Sequence, residues 1–294
     1  MNACLTFAQC TNCSVAMVYH TTHEALKCHY CGKIEGLPKK CPKCNSVNIR
    51  HFGIGTQKIE TVTQILFPEA RIARLDRDTT TTKDAHQTIL KKFENGEIDI
   101  LIGTQMIAKG LDFPNVTLVG IVAADTALNI PDFRAGEKTF QLITQVAGRS
   151  GRGSIQGEVV AQAYSLEHTS IQMAQKHDFV SFYNDEIKNR EELRYPPFSS
   201  LINIIIANLD NDEAKKYALS LSRLLKDNKT DKIIGVLGPI PAGIPKIQNY
   251  HRYQILIKSF DLDEARDLLH KSMKQIKISH NTRVGIDIEP LNLM

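Results

Sequence analysis

Three pairs of cysteines at one spacing, Cys10 and Cys13, Cys28 and Cys31, Cys41 and Cys44, lie near the start of the chain, with a seventh, Cys4, ahead of them. Two thiolates three positions apart on a tight turn fill two corners of a tetrahedron, and two such turns close a zinc site with no open position. "CHYCG" and "CPKCNS" carry the turn-forming residues that such knuckles need. The expected first site is Cys10, Cys13, Cys28 and Cys31, which leaves one pair over. Met1-Asn2-Ala3-Cys4 has the register of a fourth pair with methionine in place of a thiolate, so the chain is expected to begin inside a motif. A second site fed by Cys4, Cys41 and Cys44 then needs a weaker fourth ligand, a water or one of His20, His23 and His51. Methionine's neutral thioether is a poor match for zinc. A redox C-x2-C pair belongs at a helix start in a thioredoxin-like βαβ unit, and no such pattern surrounds these residues. Each complete zinc site contributes on the order of 10 kcal/mol to folding.

Phosphate chemistry is the second theme. "QVAGRSGRG" places Gln145, Arg149 and Arg152 at the end of a helical pattern, with Gly148 and Gly151 keeping side chains out of the way. Spacings of four and three put the three polar groups on one helical face, and arginine forks suit bidentate phosphate binding. Arginines near a helix C-terminus also complement its dipole without any ligand. "GTQMIAKGLDFP" offers Gly103 and Thr104, whose amides and hydroxyl can hold a phosphate, followed by Lys109 and Gly110.

The elements that must position these groups read as α/β. Helical stripes in "GIGTQKIETVTQILFP" and "TTKDAHQTILKKFENG" alternate with strand patterns in "ARIARL", "IDILIGT", "VTLVGIVAAD" and "GEVVAQAY", and "TFQLITQVAG" adds a further helix. Alternation of this kind predicts a doubly wound parallel sheet, whose working groups leave the carboxyl ends of strands. "ELRYPPFSS" marks a boundary, because Pro196-Pro197 cannot continue a helix. Beyond it the pattern is β-α-β-β-α-β, the ferredoxin-like layout, with residues 239–254 read as a loop carrying Lys246, His251 and Arg252. Three domains are expected: a zinc module over 1–51, a sheet domain over 52–195 and a tail domain over 196–294.

Bulk properties bound the function. The 294 residues are 42% hydrophobic, enough for more than one core, and a net charge of +4 is compatible with a polyanionic partner. Tryptophan is absent, so broad base-stacking surfaces are not advertised. "MNACLTFAQC" lacks the pattern of a signal peptide, and no apolar run approaches a membrane span. Cysteines confined to the first 44 residues favour metal over disulfides, and the chain reads as cytoplasmic.

"GTQMIAKGLDFP" and "QVAGRSGRG" resemble motifs V and VI of the superfamily 2 helicases, and with the cysteine pairs and "RLDRDTT" the chain resembles the PriA family of replication-restart DNA helicases. That resemblance implies that the sheet domain is a RecA-like second lobe. It further implies that Arg149 and Arg152 are arginine fingers for the γ-phosphate of ATP, and that Gln145 couples nucleotide to DNA. Gly110 would contact the phosphates, Asp112 would lie near the ribose, and Gly103, Thr104, Gln105 and Lys109 would contact the DNA backbone. The tail domain is expected to bind DNA through Lys246 and Arg252. Forked or single-stranded DNA, the single-stranded-DNA-binding protein and primosome proteins are the implied partners.

The sequence has no G-x-x-x-x-G-K-[ST] and no D-E-x-H. ATP and Mg²⁺ would therefore be bound only with a first lobe that family members carry ahead of the cysteines, and the chain alone is expected to be inactive. The rival reading is a non-enzymatic zinc-ribbon adaptor that binds nucleic acid.

Overall fold

The structure, a computed structural model, describes residues 7–20, 25–41, 43–47, 55–76, 83–104, 107, 113, 115–148, 157–277, 279 and 281–293. The expectations placed on Cys4, His23, His51, Gln105, Lys109, Gly110, Asp112, Arg149 and Arg152, and on the side chain of His20, lie outside the described residues. Contacts divide the chain into two units, one formed by residues 1–51, 131–133 and 187–294, the other by 52–130 and 134–186.

In the first unit a small ribbon is built from β1 (Val18–His20), β2 (Ala25–Lys27) and β3 (Ile34–Gly36), antiparallel in that order. Three-residue strands bury little, and its interior is Met17 and Leu26 packed with Cys10, Cys13 and Cys28. So small a core calls for a metal or an outside partner.

The same unit holds the four-stranded antiparallel sheet β8 (Ser200–Asn208), β9 (Ile233–Ile247), β10 (Tyr250–Ser259) and β11 (Arg283–Ile288), in spatial order β11-β8-β10-β9. The nearly continuous apolar run of β8 suits an interior strand, and Ile202, Ile204 and Ile206 are buried. Pro239, Pro241 and Pro245 lie in β9, an edge strand, where a missing N–H breaks no ladder on the open side. Residues 239–254 are thus part of a bulged hairpin rather than the loop expected between the middle strands. Asp210 caps the helix Asn211–Asp227 by accepting from the amides of Asp212 and Glu213. Asp261 does the same for Leu262–Lys274 through Asp263 and Glu264. Both helices lay an i, i+3, i+4 stripe, including Leu221, Leu225, Leu268 and Leu269, on the sheet core.

The second unit contains α1 (Thr56–Leu66), β4 (Ile72–Leu75), α2 (Lys83–Glu94), β5 (Ile100–Gly103), β6 (Leu118–Ile121), α3 (Ala135–Ala147), β7 (Glu158–Ala161) and α4 (Thr169–Gln175). A further helix, α5 (Phe179–Glu192), begins in this unit. Among the described residues the parallel ladders are two separate pairs, β4 with β5 and β6 with β7, rather than one continuous sheet. The strands are also shorter than their apolar runs. β6 stops at Ile121, and Ala123 adopts a left-handed backbone (φ 53°) that ends any extension. Asp125 then accepts from the amides of Tyr164 and Ser165, tying the exit of β6 to that of β7. Phe140 of α3 stacks on Phe182 of α5 at 4.2 Å to centre this core. No helix among the described residues is long and apolar enough to cross a membrane.

Candidate metal centre and phosphate-facing loops

The three C-x2-C turns share one backbone pattern. The amides of Cys10, Cys28 and Cys41 donate to the carbonyls of Val15, Lys33 and Ser46, five residues on. In the second and third turns the residue after the second cysteine turns left-handed, Gly32 at φ 74° and Asn45 at φ 56°, and its amide donates back to the first cysteine's carbonyl. Glycine and asparagine tolerate that conformation best. The first turn has Ser14 there, which is not among the left-handed residues, and its amide donates instead to Lys246 O of the β9–β10 hairpin (3.0 Å).

The Sγ atoms of Cys10, Cys13, Cys28 and Cys31 all lie within 4.8 Å of one another, and Cys10 and Cys31 approach to 3.6 Å. With Zn–S bonds of ~2.3 Å a tetrahedral site has sulfur–sulfur edges of roughly 3.8 Å. Four converging thiols, three of them buried, fit zinc in number, softness and spacing. Burial pushes the Cys13 thiol up to about 12. Burial also opposes ionisation of Cys28, yet the amides of Cys31 and Tyr30 aimed at its sulfur bring it down to about 7. Cys41 is half-buried and Cys44 exposed, and among the described residues neither joins this cluster.

Of the groups expected at phosphate, Gly103 ends β5 and Thr104 follows it, exposed. Gly103 is packed so closely that a Cβ there would overlap Leu75 O and the Ile107 side chain. At the opposite ends of the same strands Arg71 grips Asp99 through Nε (2.9 Å), Nη2 (2.6 Å) and its amide (2.8 Å), fixing the register of β4 against β5. Gln145 lies on the exposed face of α3, which ends at Ala147 with Gly148 as its cap, its amide donating to Thr144 O. Helical-face reasoning from Gln145 therefore has no described helix to follow past Gly148.

Lys246 and Arg252 are less exposed than a loop reading implies. Lys246 Nζ donates to Thr11 O (3.0 Å) and Arg252 Nη1 to Ile244 O (3.0 Å), and burial pulls the Arg252 guanidinium below its ordinary value. Sequence reasoning did not find Gln248, whose amide donates to Cys13 Sγ (3.2 Å). The one available signal was Ser14, the odd residue beside Gly32 and Asn45.

Comparison with known proteins agrees with this arrangement. Residues 10–35 match the PriA DNA helicase Cys-rich region domain, residues 44–154 the helicase conserved C-terminal domain, and residues 191–291 the primosomal protein N C-terminal domain. The chain is 44% identical over 97% of its length to the replication restart protein PriA of Bacillus subtilis, covering 36% of that protein. It is 40% identical over 96% of its length to the PriA of Chlamydia pneumoniae, covering 38%, and 34% identical over 94% to that of Thermotoga maritima, covering 36%. The chain thus spans little more than a third of these relatives. A cysteine-rich ribbon, a helicase carboxyl-terminal domain and a primosomal tail domain thus match the chain in that order. The chain matches a C-terminal portion of the PriA replication restart proteins.

Proposed function

We propose that the chain acts as the carboxyl-terminal part of an ATP-dependent 3′ to 5′ DNA helicase that reloads replication at stalled forks. The observation that supports this most is the unbroken order of ribbon, helicase domain and tail matches along one chain. In this reading Arg149 and Arg152 stabilise charge on the transferring phosphoryl group, with Gln145 beside them. Such fingers change rates by roughly 10³ to 10⁵ in comparable NTPases. Gly110 and Asp112 face the nucleotide, which with Mg²⁺ is held mainly by a separate first lobe. Gly103, Thr104, Gln105 and Lys109 follow the DNA backbone.

The first four thiols hold one zinc, and Cys4, Cys41 and Cys44 contribute to a second. The domains run 1–51, 52–195 and 196–294, the last read as ferredoxin-like from its β-α-β-β-α-β order and the β11-β8-β10-β9 sheet. Forked or single-stranded DNA, the single-stranded-DNA-binding protein and primosome components are the proposed partners, in the cytoplasm.

Joined to the first lobe of the Bacillus relative, the chain should hydrolyse ATP in response to forked DNA, while the chain alone should not. Hydrolysis by the chain alone, or a joined protein that binds DNA without turnover, would overturn the reading, the latter favouring the adaptor.

A further inference from the structure

In the first cysteine turn the amide that follows the second cysteine does not return to the first cysteine's carbonyl, as it does in the other two described turns. The segment that meets this turn instead is the tip of the β9–β10 hairpin, far away in sequence. Ile247 packs on the cysteine core, Lys246 O accepts from the Ser14 amide, and Lys246 Nζ donates to Thr11 O. The Asn249 amide donates to Asn12 O (2.8 Å) and the Gln248 amide to Cys13 Sγ. Between paired Ile247 and Tyr250, Gln248 (φ 50°) and Asn249 (φ 67°) are both left-handed, a two-residue turn of the I′ kind. Residues in these conformations keep them when their surroundings demand it. Here the conformation presents two successive amides to the knuckle: one meets the carbonyl of Asn12, between the two cysteines, and the other meets a ligand sulfur. An N–H aimed at a thiolate disperses its charge, and groups that orient a metal's ligands typically change metal affinity about 10 to 100-fold when lost.

We propose that the Gln248-Asn249 turn is a working part of the metal centre: it positions Cys13 for zinc, and bound zinc in return fixes the tip of the tail-domain hairpin. The ribbon and the tail domain are coupled through this contact. The inference rests on zinc occupying the four-thiol site, not on the helicase reading. Gln248 and Asn249 are positioning residues, and their backbone N–H groups rather than their side chains carry the effect.

The test uses the whole chain loaded with zinc, with release to a chromophoric chelator followed in time. Gln248→Val with Asn249→Val disfavours left-handed backbone and should speed release on the order of ten-fold. Gln248→Gly with Asn249→Gly accepts that backbone, keeps both amides and should release zinc at nearly the parental rate. Hydrogen exchange read in parallel should show the Gln248 and Asn249 amides protected with zinc and exposed after chelation, while β8 stays protected in every sample. Protection of β8 in the valine variant shows that the tail domain has folded. Equal release rates in the parent and valine proteins, or turn amides indifferent to zinc, would overturn the proposal. Zinc-free protein as prepared would instead overturn the four-thiol site itself.

Discussion

The amide of Gln248 donates to the sulfur of Cys13 across a sequence separation of 235 residues, so the cysteine-rich ribbon takes part of its ligand environment from the tail domain. A ribbon whose interior is two hydrophobic side chains and three cysteines cannot hold its turns by burial alone.

Replacing Cys13 or Cys28 by alanine should therefore remove one zinc per chain and leave residues 10–36 unprotected in hydrogen exchange, with β8 and β10 unaffected. Metal content by atomic emission checks this. An unchanged zinc count would rule out the four-thiol assignment.

Gly103 tests the strand ends of the helicase domain. Because a Cβ there meets the backbone oxygen of Leu75, which cannot yield as a side chain would, Gly103→Ala should destabilise by about 1–3 kcal/mol. Thr104→Ala, on an exposed residue, should change stability little and should weaken DNA binding if the loop follows the backbone. Denaturant melts and DNA titrations of both variants separate the two roles.

The Arg71–Asp99 clamp gives a pH dependence with a defined sign. The Arg71 side chain and its amide lower the Asp99 carboxyl to about 2, from an ordinary 3.8. The folded value lies below the unfolded one, so the pair's contribution is complete above the ordinary value and is lost as pH falls through about 2. The Asp99 carboxyl carbon resonance should titrate near 2 in the parent and move to the ordinary carboxylate range in Arg71→Ala. A parent titration already at the ordinary value would contradict the clamp.

The alternation of helix and strand in the middle of the chain was legible because amphipathic helices such as α3 repeat their apolar residues at helical spacing. The four-thiol group was legible because the chemistry of zinc fixes the spacing within each pair. What stayed hidden depended on contacts distant in sequence. The prolines of 239–245 signal a loop by local rules, and only their place on an open sheet edge makes them a strand. Lys246 reads as a solvated cation until Thr11 O is seen to accept from it. The apolar run of 116–124 overstates β6 because nothing local announces the left-handed Ala123.

The central claim, that this chain supplies half of a split ATP-hydrolysing centre, is tested most directly by Arg149→Ala in the chain joined to a first lobe, with DNA-stimulated ATP turnover and DNA affinity measured on the same sample. Turnover should fall by roughly 10³-fold or more while affinity for forked DNA stays close to the parent. Turnover that survives the substitution, or a loss confined to DNA affinity, would contradict it.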